Sequence, residues 1–170
     1  MNLEDHLASV PDFPKKGVVF KDVSPLFLDA KAFGELISEL AEMLRPYGAN
    51  KIVAAEARGF MFGTPLALKL GIAFVPVRKK GKLPRRVTSV DYDLEYGSDT
   101  LCVHTDDISA SDRIIVFDDI LATGGTAEAM CRLVEGLGAT VAACAFVMEL
   151  GFLKGREKLM PRSTVSYLVD

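Results

Sequence analysis

Apolar positions along this chain fall into two alternating kinds of run. The first is helical. Residues 32–45 place Phe33, Leu36, Ile37, Leu40 and Leu44 three or four apart, on one face of a helix, and Gly48 and Asn50 punctuate its end. Residues 60–70 predict a second helix. Residues 126–137 predict a third, with Ala127, Met130, Cys131, Val134 and Leu137 on one side and Gly138 as the stop. The second kind is short and unbroken: residues 51–55, 72–77, 114–117, 140–148 and 165–169. Apolar runs of this length, rich in β-branched residues, suit strands covered on both faces of a parallel sheet. Because the two kinds alternate, the pattern predicts an α/β fold, a mostly parallel sheet flanked by helices. Residues 79–104 break the alternation. Turns at Gly81, Pro84 and Gly97 predict a small antiparallel excursion there. No repeat, low-complexity stretch or linker divides the chain, so a single domain over residues 1–170 is expected.

Composition narrows the class. Of the 170 residues 49% are apolar and 25% charged, the balance of a soluble globular domain. A net charge of -3 gives no reason to expect nucleic-acid binding. No apolar run approaches the roughly 20 residues that span a bilayer, so no membrane association is expected. The opening residues 1–6 are acidic and lack a signal-peptide core. Cys102, Cys131 and Cys144 are odd in number and lack metal-ligand spacing; they read as reduced thiols of a cytoplasmic protein. His6 and His104 have no motif around them.

Candidate chemistry concentrates in Arg113-Ile-Ile-Val-Phe-Asp-Asp-Ile-Leu-Ala-Thr-Gly-Gly-Thr126. The apolar run ends in Asp118 and Asp119, placing two carboxylates at the carboxyl end of a strand, where open α/β sheets bind ligands. Gly124 and Gly125 let backbone N–H groups turn toward an anion. Thr126 is expected to cap the following helix, whose positive end then faces the same anion. The run reads as a grip for a ribose phosphate: carboxylates for sugar hydroxyls, amides and hydroxyls for the phosphate. It is neither a Walker A loop, since no Gly-Lys-Thr/Ser follows, nor a dinucleotide fingerprint, since Gly-x-Gly-x-x-Gly is absent. A second candidate is Glu56-Ala-Arg-Gly-Phe60, also between a strand and a helix, where Arg58 offers a planar fork of donors to a diphosphate. Pairing of Arg58 with Glu56 fits that spacing equally. The basic run Arg78, Lys79, Lys80, Lys82, Arg85 and Arg86 suits either a solvated surface or a polyanionic substrate.

At Val116–Thr126 the chain resembles the phosphoribosyl-diphosphate motif of the type I phosphoribosyltransferases, and the Leu-Ala-Thr-Gly-Gly-Thr form is most similar to the adenine-using branch of that family. Phe13-Pro14, residues 17–25, 56–60, 77–84, 92–97 and 153–159 look like further segments of it, so the likeness covers the chain from about Asp12 onward. The resemblance implies a purine salvage enzyme that moves the 5-phosphoribosyl group from phosphoribosyl diphosphate to adenine, giving AMP and diphosphate. It also implies Mg²⁺ carried by the diphosphate, a homodimer, and a mobile hood at about residues 79–104. By that likeness Asp118 and Asp119 hold the ribose hydroxyls and the metal's water shell. Ala122, Thr123, Gly124, Gly125 and Thr126 cup the 5′-phosphate, and Arg58, Lys79 and Lys82 meet the diphosphate. Phe20 stacks on the base between backbone contacts from Val19 and Lys21, and Leu150 lines the base pocket from the other end. Glu95 manages a proton on the purine, with Tyr96 beside it. Lys21 stands where relatives often have arginine and Phe117 where they often have valine. Read without the likeness, Phe20 also suits a core position after a turn, and Glu95 an exposed hairpin charge. The rival functions are the same transfer to another base such as xanthine or orotate, a regulatory protein that only binds these ligands, and a degenerate structural relative, which would be expected to have lost Asp118 or Asp119.

Overall fold

The computed structural model describes residues 2–12, 16–17, 19–93 and 97–169. A two-stranded antiparallel pair, β1 (Ala8–Pro11) and β2 (Val19–Asp22), sets Val10 opposite Phe20 near the start of the chain. Helix α1 (Ala30–Leu44) follows. The Asp29 carboxylate caps it, accepting hydrogen bonds from the amides of Lys31 and Ala32 at 3.0 Å each. Then come β3 (Lys51–Ala55), α2 (Arg58–Leu70), β4 (Ala73–Lys79), β5 (Val87–Asp93), β6 (Ser98–His104), β7 (Arg113–Leu121), α3 (Gly125–Gly136), β8 (Thr140–Glu149), α4 (Gly155–Leu159) and β9 (Thr164–Val169).

Seven strands form one sheet in the order β5-β6-β4-β3-β7-β8-β9. The five from β4 to β9 in that order are parallel, and β6 and β5 extend the β4 edge antiparallel. The α/β class with a small antiparallel hairpin is therefore as the hydrophobic pattern predicts. The hairpin is not a separate appendage, because Arg78 and Lys79 at the end of β4 pair with Cys102 and Leu101 of β6.

Burial explains the unbroken apolar runs. Ile114 and Val116 join the core on one face, beneath α3 and the hairpin, with Met130, Val134 and Phe146. Ile115 and Phe117 join the core on the other, beneath α1 and α2, with Leu36, Leu40, Phe62 and Leu66. Successive side chains alternate faces and both faces are covered, so each position must be apolar.

Of the boundaries that differ from the sequence expectation, three shape the site. Strand β7 runs four residues past Phe117, because β8 continues alongside it and pairs Asp118 with Phe146 and Leu121 with Glu149. On its other side β3 stops at Ala55, with Ala54 opposite Phe117, so the β7 edge opens there at Asp118. Helix α2 begins at Arg58 rather than residue 60. Helix α3 begins at Gly125, capped by Gly124 in a left-handed conformation (φ 80°), which places Thr126 inside the first turn instead of at the cap. Glycine adopts that backbone without the steric cost a threonine would meet. Among the described residues no helix is long and apolar enough to cross a membrane.

Candidate active site

From β3 the chain moves to β4 on one side, and from β7 to β8 on the other, so the crevice between the carboxyl ends of β3 and β7 is the switch point of the sheet. Both motifs singled out in the sequence converge there. Glu56 to Arg58 leave β3, and Asp118 to Thr126 end β7 and open α3.

Arg58 spans the crevice. Its Nε donates to Asp119 Oδ2 in a very short contact, and its guanidinium carbon lies 5.9 Å from the centre of the Phe20 ring. Arg58 does not pair with Glu56. That carboxylate instead accepts from Arg78 Nη2 at 3.0 Å and from the Lys79 amide at 2.8 Å. Burial would raise the Glu56 carboxyl, but these hydrogen bonds prevail and hold it below its ordinary value. The Glu56–Ala57 peptide is cis. A Cβ on Gly59 would stand 3.2 Å from Asp118 Oδ1, so its absence lets the start of α2 come close to the carboxylate pair.

Asp119 is buried at 5% exposure, whereas Asp118 is half-buried at the mouth of the crevice. The Asp119 amide donates to Asp118 Oδ1 at 3.0 Å. Desolvation first, and then the charge of Asp119, push the Asp118 carboxyl well above its ordinary value, against the pull of Arg58.

Three hollows meet at this point. A cleft of about 370 Å³ is lined by Glu56, Ala57, Arg58, Lys79, Tyr92, Asp118, Asp119 and Thr126. A small hollow of about 70 Å³ sits within the loop and first turn of α3, lined by Asp118 and by Ala122, Thr123, Gly124, Gly125 and Thr126. The largest, about 620 Å³, is lined by Val19, Phe20, Lys21, Arg58, Asp118, Asp119, Ala122 and Leu150, with Ile120, Met148, Phe152 and Leu153. Asp118 and Thr126 border all three.

The structure thus brings together the expected residues Val19, Phe20, Lys21, Arg58, Lys79, Asp118, Asp119, Ala122, Thr123, Gly124, Gly125, Thr126 and Leu150. Lys79 is engaged by Asp99 of the hairpin at 2.8 Å, which raises its pKa. Lys82 lies apart: it is exposed in the turn beyond β4 and does not line the cleft. Glu95 and Tyr96 lie outside the described residues. The residue reading missed Tyr92, which is buried in the wall of the first cleft and hydrogen-bonded to Thr126. Desolvation raises its phenol above the ordinary range, against the Thr126 bond. Met148, Phe152 and Leu153 were also missed, since apolar residues at a strand end carry no chemical signature.

A switch-point crevice with a carboxylate pair, an arginine fork and a glycine loop opening a helix defines a class of protein that holds a phosphorylated sugar. The comparisons agree. Residues 27–169 match the model of the phosphoribosyl transferase domain. The adenine phosphoribosyltransferase of Maridesulfovibrio salexigens is 51% identical, with 99% of each chain aligned. The crystal structure of adenine phosphoribosyltransferase from Thermoanaerobacter pseudethanolicus superposes with a TM-score of 0.95 at 48% identity, over 99% of this chain and 98% of that one. The Saccharomyces cerevisiae enzyme, solved with an imino-altritol bisphosphate and adenine, superposes with a TM-score of 0.89 at 43% identity, over 96% and 94%. The chain belongs to the phosphoribosyltransferase family, in its adenine phosphoribosyltransferase branch.

Proposed function

We propose that this protein transfers the 5-phosphoribosyl group of phosphoribosyl diphosphate to adenine, forming AMP and releasing diphosphate. One observation carries the reading. Three hollows of different chemistry share Asp118 and Thr126, as a substrate requires when a ribose joins a phosphate, a leaving diphosphate and an incoming base.

Each hollow then has a role. The amides of Gly124, Gly125 and Thr126, with the hydroxyls of Thr123 and Thr126, hold the 5′-phosphate at the positive end of α3. Asp118 and Asp119 accept hydrogen bonds from the ribose hydroxyls. Arg58 and Lys79 meet the diphosphate in the cleft, and Lys82, which lies outside the cleft wall, is assigned to it on the family likeness alone. In the largest hollow Phe20 stacks on adenine, Leu150 packs from the opposite end, and backbone groups of Val19 and Lys21 read its polar edge. Glu95 is assigned the proton on the purine, with Tyr96 as its neighbour, on the strength of the Leu94–Gly97 sequence. A nitrogen of adenine displaces diphosphate at C1 of the ribose through an oxocarbenium-like state.

Mg²⁺ suits this site. Asp118 and Asp119 are hard oxygen donors beside the cleft, and among the described residues no set of three or more His, Cys, Asp or Glu side chains forms a cage of its own. The ion would therefore ride on substrate oxygens, with these carboxylates reaching its water shell, and would neutralise the departing diphosphate. We also propose a homodimer, on the family likeness, and a cytoplasmic protein, on its three free thiols.

The test is product formation from phosphoribosyl diphosphate and Mg²⁺ with adenine, guanine, hypoxanthine, xanthine and orotate in parallel. AMP from adenine alone, lost on chelation, is expected. Preference for another base would overturn the Phe20 pocket, and tight binding without turnover would make the protein a ligand-binding regulator.

A further inference from the structure

The segment after β8 reaches both ends of the substrate. Leu150, Phe152 and Leu153 line the base hollow, and two residues later Gly155 is pressed against the phosphate loop. A Cβ placed on Gly155 would stand 2.2 Å from the Ala122 carbonyl oxygen and 3.0 Å from the Gly124 nitrogen. Reciprocally, a Cβ on Gly124 would stand 2.6 Å from the Gly155 oxygen. Two backbones are therefore in direct contact, and no side chain fits between them. Gly124 has a positive φ and suits glycine for conformational reasons as well, but the φ of Gly155 lies outside the left-handed region. Space alone excludes a side chain at residue 155.

Both flanks of the segment are fixed. The Leu150 amide donates to the Leu121 carbonyl at 2.9 Å. Arg156 donates to the buried Glu149 carboxylate through Nε at 3.0 Å and Nη2 at 2.5 Å, and to the Thr164 carbonyl at 2.7 Å. A rigid turn held at both ends sets the position of whatever its middle touches.

We propose that Gly155 is a positioning residue for the phosphate loop, held against it by the turn at residues 150–156. The inference rests on the reading of residues 122–126 as the 5′-phosphate site. An added methyl must push the Ala122 carbonyl, and with it the amides aimed at the phosphate, by a large fraction of an ångström or more. Displacements of that size cost on the order of 100-fold where hydrogen bonds must meet a fixed anion.

The experiment compares AMP with adenosine, which differ only in the 5′-phosphate, by calorimetric titration of wild type, Gly155→Ala and Arg156→Lys. Wild type should prefer AMP. If it does not, the phosphate-loop reading itself fails, before the seam is at issue. In folded Gly155→Ala the AMP-to-adenosine affinity ratio should fall by about tenfold or more while adenosine binding stays near wild type. Its KM for phosphoribosyl diphosphate should rise while kcat changes much less. An unchanged ratio, or lost kcat at unchanged KM, would overturn the proposal. Should Gly155→Ala fail to fold, Arg156→Lys decides. It keeps the charge, loses the fork on Glu149 and adds nothing at the seam. A lowered ratio there supports the proposal, and a wild-type ratio overturns it.

Discussion

Arg58 and Asp119 join the two halves of the crevice. The arginine begins the helix after β3, the aspartate lies near the end of β7, and the Nε–carboxylate bond between them crosses the switch point of the sheet. The pair orients the arginine toward the cleft and toward Phe20. Arg58→Lys keeps a cation but not the planar fork. We expect kcat/KM for phosphoribosyl diphosphate to fall by about 100-fold or more. Steady-state kinetics on the purified variant would measure it, and a loss of less than about threefold would remove Arg58 from the diphosphate site.

Asp118→Asn combined with Asp119→Asn should reduce turnover by about 1,000-fold or more, because both ribose acceptors are weakened together. The fold should persist, since neutralising this crowded acidic pair relieves its repulsion even as the charged bond to Arg58 is lost. Circular dichroism and thermal melting check the second half of that statement. Near-wild-type turnover would sink the ribose assignment.

Phe20→Ala should raise the KM for adenine with little change in the KM for phosphoribosyl diphosphate. Loss of base stacking costs about 1–3 kcal/mol, an effect of about fivefold to 150-fold. Phe20→Tyr should retain most of the affinity. Equal affinity for adenine in Phe20→Ala would return Phe20 to a packing role.

Glu95→Gln should lower kcat more than it changes either KM, as expected for a group whose bond strengthens only in the transition state. An unchanged kcat would take Glu95 out of the chemistry.

At the opposite end of the sheet, the stability of the protein should depend on acid through Asp112. Burial would raise its carboxyl, but hydrogen bonds from Lys51 Nζ at 2.7 Å, the Ser109 amide at 2.7 Å and Asn50 Nδ2 at 2.9 Å lower it from 3.8 to about 2. A depressed carboxylate contributes stability that is present above its unfolded value and lost as pH falls through the folded one. The contribution is about 2 kcal/mol and should disappear between about pH 4 and pH 2. Urea unfolding at stepped pH should show wild type weakening over that window and Asp112→Asn already weaker and flatter there. Parallel curves would contradict it.

How much of this was legible in the sequence depends on what each residue faces. Ile114 to Phe117 could be read as a strand because both faces of the sheet demand apolar residues. The continuation of that strand through Asp118 and Asp119 could not, because two aspartates look like a loop until β8 is seen to run alongside. The Asp-Asp and Thr-Gly-Gly-Thr groups announced themselves through polar chemistry. Tyr92 did not, since it reaches Thr126 from a hairpin that joins the sheet through the pairing of β6 with β4. Arg58 was found in the sequence but not its partner, for Glu56 lies two residues away and Asp119 sixty-one. Gly155 was invisible for a similar reason: what excludes a side chain there is a carbonyl thirty-three positions earlier.

The meeting of three hollows at Asp118 also constrains how such a protein can change over generations. On the proposed assignment, a substitution at the shared carboxylate is felt by phosphate, leaving group and base together, so it offers no route to a new substrate. Met148, Phe152 and Leu153 border the base hollow and neither of the other two. Drift at that rim can retune which ring is accepted while the sugar-handling half is inherited intact.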